Sequence, residues 1–226
     1  MTTSPQARKA IADSENALRD TLWPDAAERL WAHKTSGGFV TTPKTMPYIC
    51  RILDEMSKDH PLASTYEALW SYTWGNNAFL RFNKPDDVTF AAGFSGQRGR
   101  RTLLERMRRL QLLGFIETQP NGNESNGFIF LPNPHAVLFA HHGGQGAALP
   151  DPAPKGLSTH IVPASWNAFV SRALDLGCKD VKLLLNPPPP APPAPPVAPP
   201  AKPSASAAVK ILRKRVAPSA KSAPTS

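Results

Sequence analysis

Apolar positions in this chain recur mostly at helical spacing, and twice they switch to short alternating runs. Residues 5 to 34 carry Ile11, Leu18, Leu22, Leu30 and Trp31 at loose helical intervals interrupted at Pro24, which predicts two short helices. Gly37 and Gly38 then open an extended stretch. Thr45 and Pro47 give a cap-then-proline start to a helix whose buried face is Ile49, Ile52, Leu53 and Met56, spaced i, i+3, i+4, i+7. Ser64-Thr65-Tyr66-Glu67 has the form of a capping box and predicts a helix running to Gly75. AFLRF, Ala78 to Phe82, alternates as a short strand.

Pro85-Asp86-Asp87 then sets proline and two carboxylates at a helix start, where the helix dipole favours them, and Gly93 can close that helix. The next helix runs from Gly99, or slightly earlier, to Leu113. On it Leu103, Met107, Leu110 and Gly114 share one narrow sector, flanked by Leu104 and Leu113. FIET and GFIFL read as two strands around a polar loop from Pro120 to Asn126. HAVLFAHH is helical and packs back on the domain. Residues 143 to 160 read as a linker, and residues 161 to 185 as an amphipathic helix with Trp166, Phe169, Val170, Ala173 and Leu174 on one face.

Composition divides the chain further. Most of its 26 prolines crowd the C-terminus, so residues 186 to 226 are expected to form a disordered Pro/Ala-rich spacer with a basic tail. The expected order is therefore a helical extension over 1–44, a domain over 45–142, the linker, the amphipathic helix and the tail. The fold class is mainly α with a small β-hairpin. Of the net charge of +9, six charges lie beyond Asn186 with no acid among them, leaving +3 for the rest. The body is only mildly basic, and clustering must carry any reading of partners.

Two distant cysteines imply neither a disulfide framework nor a zinc site, and suit a reduced cytoplasm. No secretory leader and no long apolar run is present, which argues against a membrane. His135, His141 and His142 lack the spacing of metal ligands and read as core-edge or surface residues. No serine or cysteine nucleophile has a base partner in view, so neither catalytic residues nor a cofactor is expected. Trp70, Tyr72, Trp74, Phe79 and Phe82 form an aromatic cluster able to stack bases, but its spacing favours the core.

The clearest chemistry lies on the helix after Gly99. Arg98, Arg101, Arg108 and Arg109 fall opposite its apolar sector with only Glu105 among them, and Arg100 and Arg106 stand on the flanks. Arginine forks match phosphate oxygens and the guanine edge of the major groove. Duplex DNA is thus the expected partner, with Ser95 and Gln97 beside the helix start.

DDVTFAAGFS, followed by TLLERMRRLQLLGFIET and the return through GFIFL, resembles the winged helix-turn-helix domains of bacterial regulators and of plasmid and mobile-element replication proteins. The resemblance covers about residues 60 to 132. It implies a recognition helix over Arg98 to Arg109, a closing step over Leu110 to Ile116, and a wing over Pro120 to Asn126 with Asn121, Asn123 and Ser125 as hydrogen-bonding groups. It further implies a transcriptional regulator or a replication or maintenance factor, with a homodimer as the possible assembly. Two features depart from the pattern: Gly96-Gln97-Arg98-Gly99 lengthens the approach to the helix by about a turn, and the wing carries Glu124 but no Lys or Arg.

Lys210, Arg213, Lys214 and Arg215 are expected to add affinity that is indifferent to sequence and falls with salt. Two alternatives stand beside this reading. The prolines and the 163–176 helix could serve protein partners or dimerisation. The Gly96–Gly99 segment also fits a GxxG loop that clamps single-stranded RNA.

Overall fold

The computed structural model describes residues 4–31, 36–74 and 77–187; the Pro-rich spacer and the basic tail, including Lys210, Arg213, Lys214 and Arg215, lie outside them. Helix α1 (Pro5–Leu22) begins at Ser4, whose hydroxyl accepts the Ala7 N–H at 3.1 Å, and stops ahead of Pro24, leaving a single-turn α2 (Ala26–Arg29). The two predicted helices are present. Their apolar side chains, Ile11, Leu18, Leu22, Trp23, Leu30 and Trp31, stay exposed.

Folding proper starts at α3 (Met46–Met56), which buries Ile49, Ile52, Leu53 and Met56 completely. Its Asp54 supplies the cap for α4 (Ala63–Ser71): Oδ1 accepts the N–H groups of Leu62 at 2.7 Å and Ala63 at 2.8 Å. The expected Ser64–Glu67 capping box is therefore absent. A carboxylate from the preceding helix satisfies the orphan donors first, and α4 ends at Ser71 rather than Gly75.

Strand β1 (Phe79–Arg81) follows, then α5 (Pro85–Ala91) with Asp86 and Asp87 in its first turn. Gly93, at φ +80°, closes α5 as expected, and Phe94 N–H bonds back to Thr89 at 3.0 Å. Helix α6 (Gly99–Leu112) is closed in the same way by Gly114, where the Phe115 N–H reaches Leu110 at 2.9 Å.

Phe115 and Ile116 plug the core, and β2 (Glu117–Asn121) pairs antiparallel with β3 (Glu124–Phe130). The connection is shorter than the seven-residue wing expected. Asn121 already pairs with Glu124, so Gly122 and Asn123 alone make the turn, with Gly122 at φ +59°. Pro120, which has no N–H to give, marks the irregularity between Gln119 and Asn121. Strand β1 pairs with the far side of β3, so the hairpin belongs to a three-stranded antiparallel sheet of order β1-β3-β2.

Three helices complete the body: α7 (Pro134–His142), α8 (Pro163–Asp175) and α9 (Lys179–Leu185). Gly177, at φ +70°, breaks the helix expected over 161–185 into the last two. Helix α8 packs on α3 and buries Trp166, Phe169 and Ala173, while Leu174 faces outward. The stretch read as a linker is a strap: Ser158 N–H bonds to Met56 at 2.8 Å, Ser57 bridges to Leu157, and Leu157 and Ile161 are buried. Among the described residues no helix is long and apolar enough to cross a membrane.

Candidate nucleic-acid interface

Helices α5 and α6 meet through a tight turn. Gly99 N–H bonds to the Gly96 carbonyl at 3.1 Å, so the surplus residues form a turn and Arg98 becomes the N-cap of α6. Gly99 is there for packing: a Cβ at this position would stand 3.0 Å from Thr89 Cγ2 and 3.3 Å from the Phe94 backbone. Its absence lets the start of α6 rest directly on α5.

From this seat α6 buries Leu103, Met107 and Leu110 and turns a stripe outward. Arg101, Leu104, Arg108 and Gln111, at i, i+3, i+7 and i+10, are all exposed, with Arg100 beside them and Ser95, Gln97 and Arg98 exposed just ahead. Among the described residues no hydrogen bond or ion pair engages the side chains of Arg98, Arg100, Arg101 or Arg108. Leu104 and Gln111 were not foreseen on this face, because a helical wheel assigned Leu104 to the border of the core.

Arg109 corrects the sequence reading. It is only 4% exposed; its Nε donates to Glu105 Oε1, and its Nη1 donates to the Lys155 carbonyl at 3.0 Å and to Ser57 Oγ at 3.3 Å. The strap over 155–158 crosses the flank of α6 and covers this side chain, which no wheel drawn on one helix can anticipate. Arg109 therefore holds the strap to α6 and is unavailable to a ligand.

Glu105 is held by this contact while its side chain stays part-exposed. Arg106 Nη1 donates to its other oxygen at 2.9 Å, so one carboxylate serves two arginines. Partial burial acts against the charged carboxylate, but the hydrogen bond and charge of Arg109, with the charges of His60 and Arg106, outweigh it and hold its pKa below the ordinary value. Burial lowers the Arg106 pKa, and its buried Nε has no partner among the described residues. Beside these groups lies a cavity of about 490 Å³ lined by His60, Arg98, Arg101, Thr102, Glu105 and Arg106. The outward stripe thus keeps its cations while the acid that might neutralise them is engaged elsewhere.

The wing residues Asn121, Asn123 and Ser125 are exposed around the β2–β3 turn with Glu124. They bring polar groups and no positive charge.

Of the histidines, His135 and His141 are buried and His142 stacks on Trp166 at 4.0 Å. His135 joins two helix starts to a third: Nε2 meets Thr45 Oγ1 at 2.6 Å, and Nδ1 meets Asp180 Oδ2 at 2.7 Å. This chain of hydroxyl, imidazole and carboxylate has the order of a catalytic triad, but Thr45 has no exposed surface for a substrate to reach. Asp180 is the carboxylate that sequence spacing could not supply, standing 45 positions from His135. His141 Nε2 meets the Leu113 carbonyl at 2.8 Å. Among the described residues no three His, Cys, Asp or Glu side chains gather to hold a metal ion. Burial pushes the Cys50 thiol far above its ordinary pKa, with Glu67 and Asp54 adding to the effect, and the Cys178 thiol is also raised.

Compared with protein-family models, with curated proteins and with solved structures, the chain has no significant match in any of the three.

Proposed function

We propose that this protein binds duplex DNA as a winged helix-turn-helix protein, reading the major groove with α6, and that it serves as a transcriptional regulator or as a replication or maintenance factor of a mobile element. The order α4, β1, α5, α6, β2, β3, with β1 added to the outer side of β3, supports the winged reading. The contact of α6 on α5 at Gly99 supports the helix-turn-helix. The observation that carries the proposal is the set of four exposed guanidinium groups, Arg98, Arg100, Arg101 and Arg108, along α6 and its N-cap, none of them paired among the described residues. A solvated surface mixes its charges, whereas here the nearby acid, Glu105, though 41% exposed, is ion-paired to Arg106 and Arg109 and to none of these four.

Arg101 and Arg108, two members of the stripe, would form forks on guanine O6 and N7, and Arg98 and Arg100 would meet a backbone phosphate passing the helix start. Gln97 and Ser95 add neutral donors beside them. Glu124 in the wing leaves that turn to hydrogen bonding, so α6 supplies the affinity. The glycines of the Gly96–Gly99 turn are accounted for by packing and by the turn itself, which gives the single-stranded RNA clamp no separate support. The face of α8 that might have served a homodimer is spent on α3.

Selection of bound fragments from a random duplex library at near-physiological salt tests the proposal. A defined motif should be enriched by the parent chain, and Arg101→Ala with Arg108→Ala should abolish the enrichment, each lost base contact costing about 1–3 kcal/mol of discrimination. Unchanged enrichment in that variant would remove α6 from the reading.

A further inference from the structure

Strand β1 sends Leu80 into the core and turns Phe79 and Arg81 to the outer face of the sheet. Cross-strand register continues that face onto β3, where Phe130 lies opposite Phe79 and Phe128 opposite Arg81. The rings of Phe79 and Phe128 stack with centroids 5.9 Å apart and planes inclined by 24°. Phe79 is still 36% exposed, Phe130 44%, and Trp74, just ahead of the strand, 83%. A cavity of about 640 Å³ runs beside β1, with Trp74, Phe79, Arg81 and Lys84 in its wall. Among the described residues Arg81 has no ion-pair partner, and Lys84 has only Asp87 at 3.9 Å.

We propose that this face binds an unpaired nucleic-acid strand, with bases stacked on the aromatic rings and phosphates beside Arg81 and Lys84. The site is separate from the α6 stripe and does not depend on the reading of that stripe. Aromatic rings held in water beside Arg81, which no acid pairs among the described residues, and Lys84, whose one acid partner stands 3.9 Å away, match a ligand whose units each combine a flat π face with a negative charge. Spacing narrows the choice. Phe128 and Phe130 are two residues apart, a rise of about 6.7 Å along the strand. That is twice the roughly 3.4 Å between nucleotides in a B-form strand. A strand whose bases have separated can set one base on Phe130 and the next on the Phe79–Phe128 pair, whereas a stacked duplex presents no base faces along its length. Glu117 faces Phe130 from β2 and places a carboxylate on the far border. The phosphates must therefore run along the β1 side, past Arg81 and Lys84.

The test uses the full chain with fluorescein-labelled oligothymidylate, oligouridylate and a duplex of equal length, read by fluorescence anisotropy. Trp74→Ala should weaken binding of both single strands about 5- to 150-fold, the range of one base–aromatic stack. Arg81→Ala should weaken it and flatten its salt dependence, Glu117→Gln should strengthen it, and Phe130→Tyr should preserve it. Duplex binding should be unaffected by all four. Arg101→Ala with Arg108→Ala should leave single-strand binding near that of the parent chain, so the two sites can fail separately.

Trp74 is too exposed to support the fold, and a thermal melt confirms that each variant is folded. Parent-like single-strand affinity in Trp74→Ala and Arg81→Ala overturns the proposal. So does displacement of the oligonucleotide by inorganic polyphosphate at equal charge concentration, which would reduce the site to charge alone. If Trp74→Ala changes the sedimentation of the free chain and leaves oligonucleotide binding intact, the face is a protein contact and the proposal falls.

Discussion

Arg108 and Arg109 are neighbours in sequence and opposites in role. Arg108 stands free in solvent, whereas Arg109 ties α6 to the Lys155 carbonyl and to Ser57. Removing Arg109 orphans a strap carbonyl and releases Glu105, which is part-exposed and keeps Arg106, so the cost falls below that of a fully buried pair. Arg109→Ala should lower unfolding free energy in urea by roughly 2–3 kcal/mol. Arg108→Ala should change it by less than about 0.5 kcal/mol, as exposed substitutions do, while weakening duplex binding. Equal stability of the two variants would show that the strap does not depend on Arg109. Asp180 makes a prediction about pH. Burial opposes its charge, but hydrogen bonds from Asn133 and His135, the charge of His135 and the Val181 N–H lower its pKa below the ordinary value. A depressed carboxylate stabilises the fold above its unfolded pKa of about 3.9 and loses that contribution as the pH falls through the folded value. Asp180→Asn should therefore melt below the parent at neutral pH, and the gap should close on acidification below about pH 4. A gap that persists unchanged at pH 3 would mean that the carboxylate's charge is not what joins the three helix starts.

Among the elements, the junction of α5 and α6 sets the direction of the proposed reading face, and Gly99 sets the junction. Alanine would gain up to about 1 kcal/mol in helix propensity, but its Cβ would meet Thr89 Cγ2 and the Phe94 backbone, and crowding of that kind costs about 1–3 kcal/mol. Gly99→Ala should thus be net destabilising in thermal melts and should weaken duplex binding by tilting α6. Thr89→Ser deletes the obstructing methyl and retains the hydroxyl that bonds the Pro85 carbonyl, so in the double variant much of the loss should return. No recovery in the double variant would place the conflict at the backbone instead. Elements such as α3, α5 and α6 were legible because periodicity, prolines at their starts and closing glycines are local signals. The departures lie where a contact outside the element itself intervened. Asp54 capped α4 in place of Ser64, the strap covered Arg109, and pairing of Asn121 with Glu124 shortened the wing. Leu157 and Ile161 are too sparse in a Gly/Pro-rich stretch to announce a packed strap. Phe79 is exposed because strand alternation cannot say which of its two faces is covered, and Trp74 because α4 stops at Ser71, three residues short of it.

At the scale of the whole molecule, charge is divided between the proposed reading surface on α6 and the C-terminal tail, proposed as a second source of affinity. The six positive charges beyond Asn186 have no acid among them, while the body holds only +3 and concentrates its free arginines on α6. These two sources of affinity differ in kind. Base contacts depend on the sequence met and change little with salt, whereas phosphate neutralisation ignores sequence and releases counterions. Removing residues 188–226 should therefore weaken binding to a selected duplex and to a scrambled one by a similar factor, leaving their ratio intact. Each phosphate lost should flatten the plot of log affinity against log salt by roughly 0.9, so loss of the contacts of Lys210, Arg213, Lys214 and Arg215 should flatten it by about 2 to 4. Arg101→Ala with Arg108→Ala should do the opposite: the ratio collapses towards one, with a smaller change in slope. Anisotropy titrations of both duplexes across a salt series read both quantities at once. If the truncation alters the ratio instead of the slope, the tail takes part in recognition, and the separation of a reading helix from a sequence-blind tether is wrong.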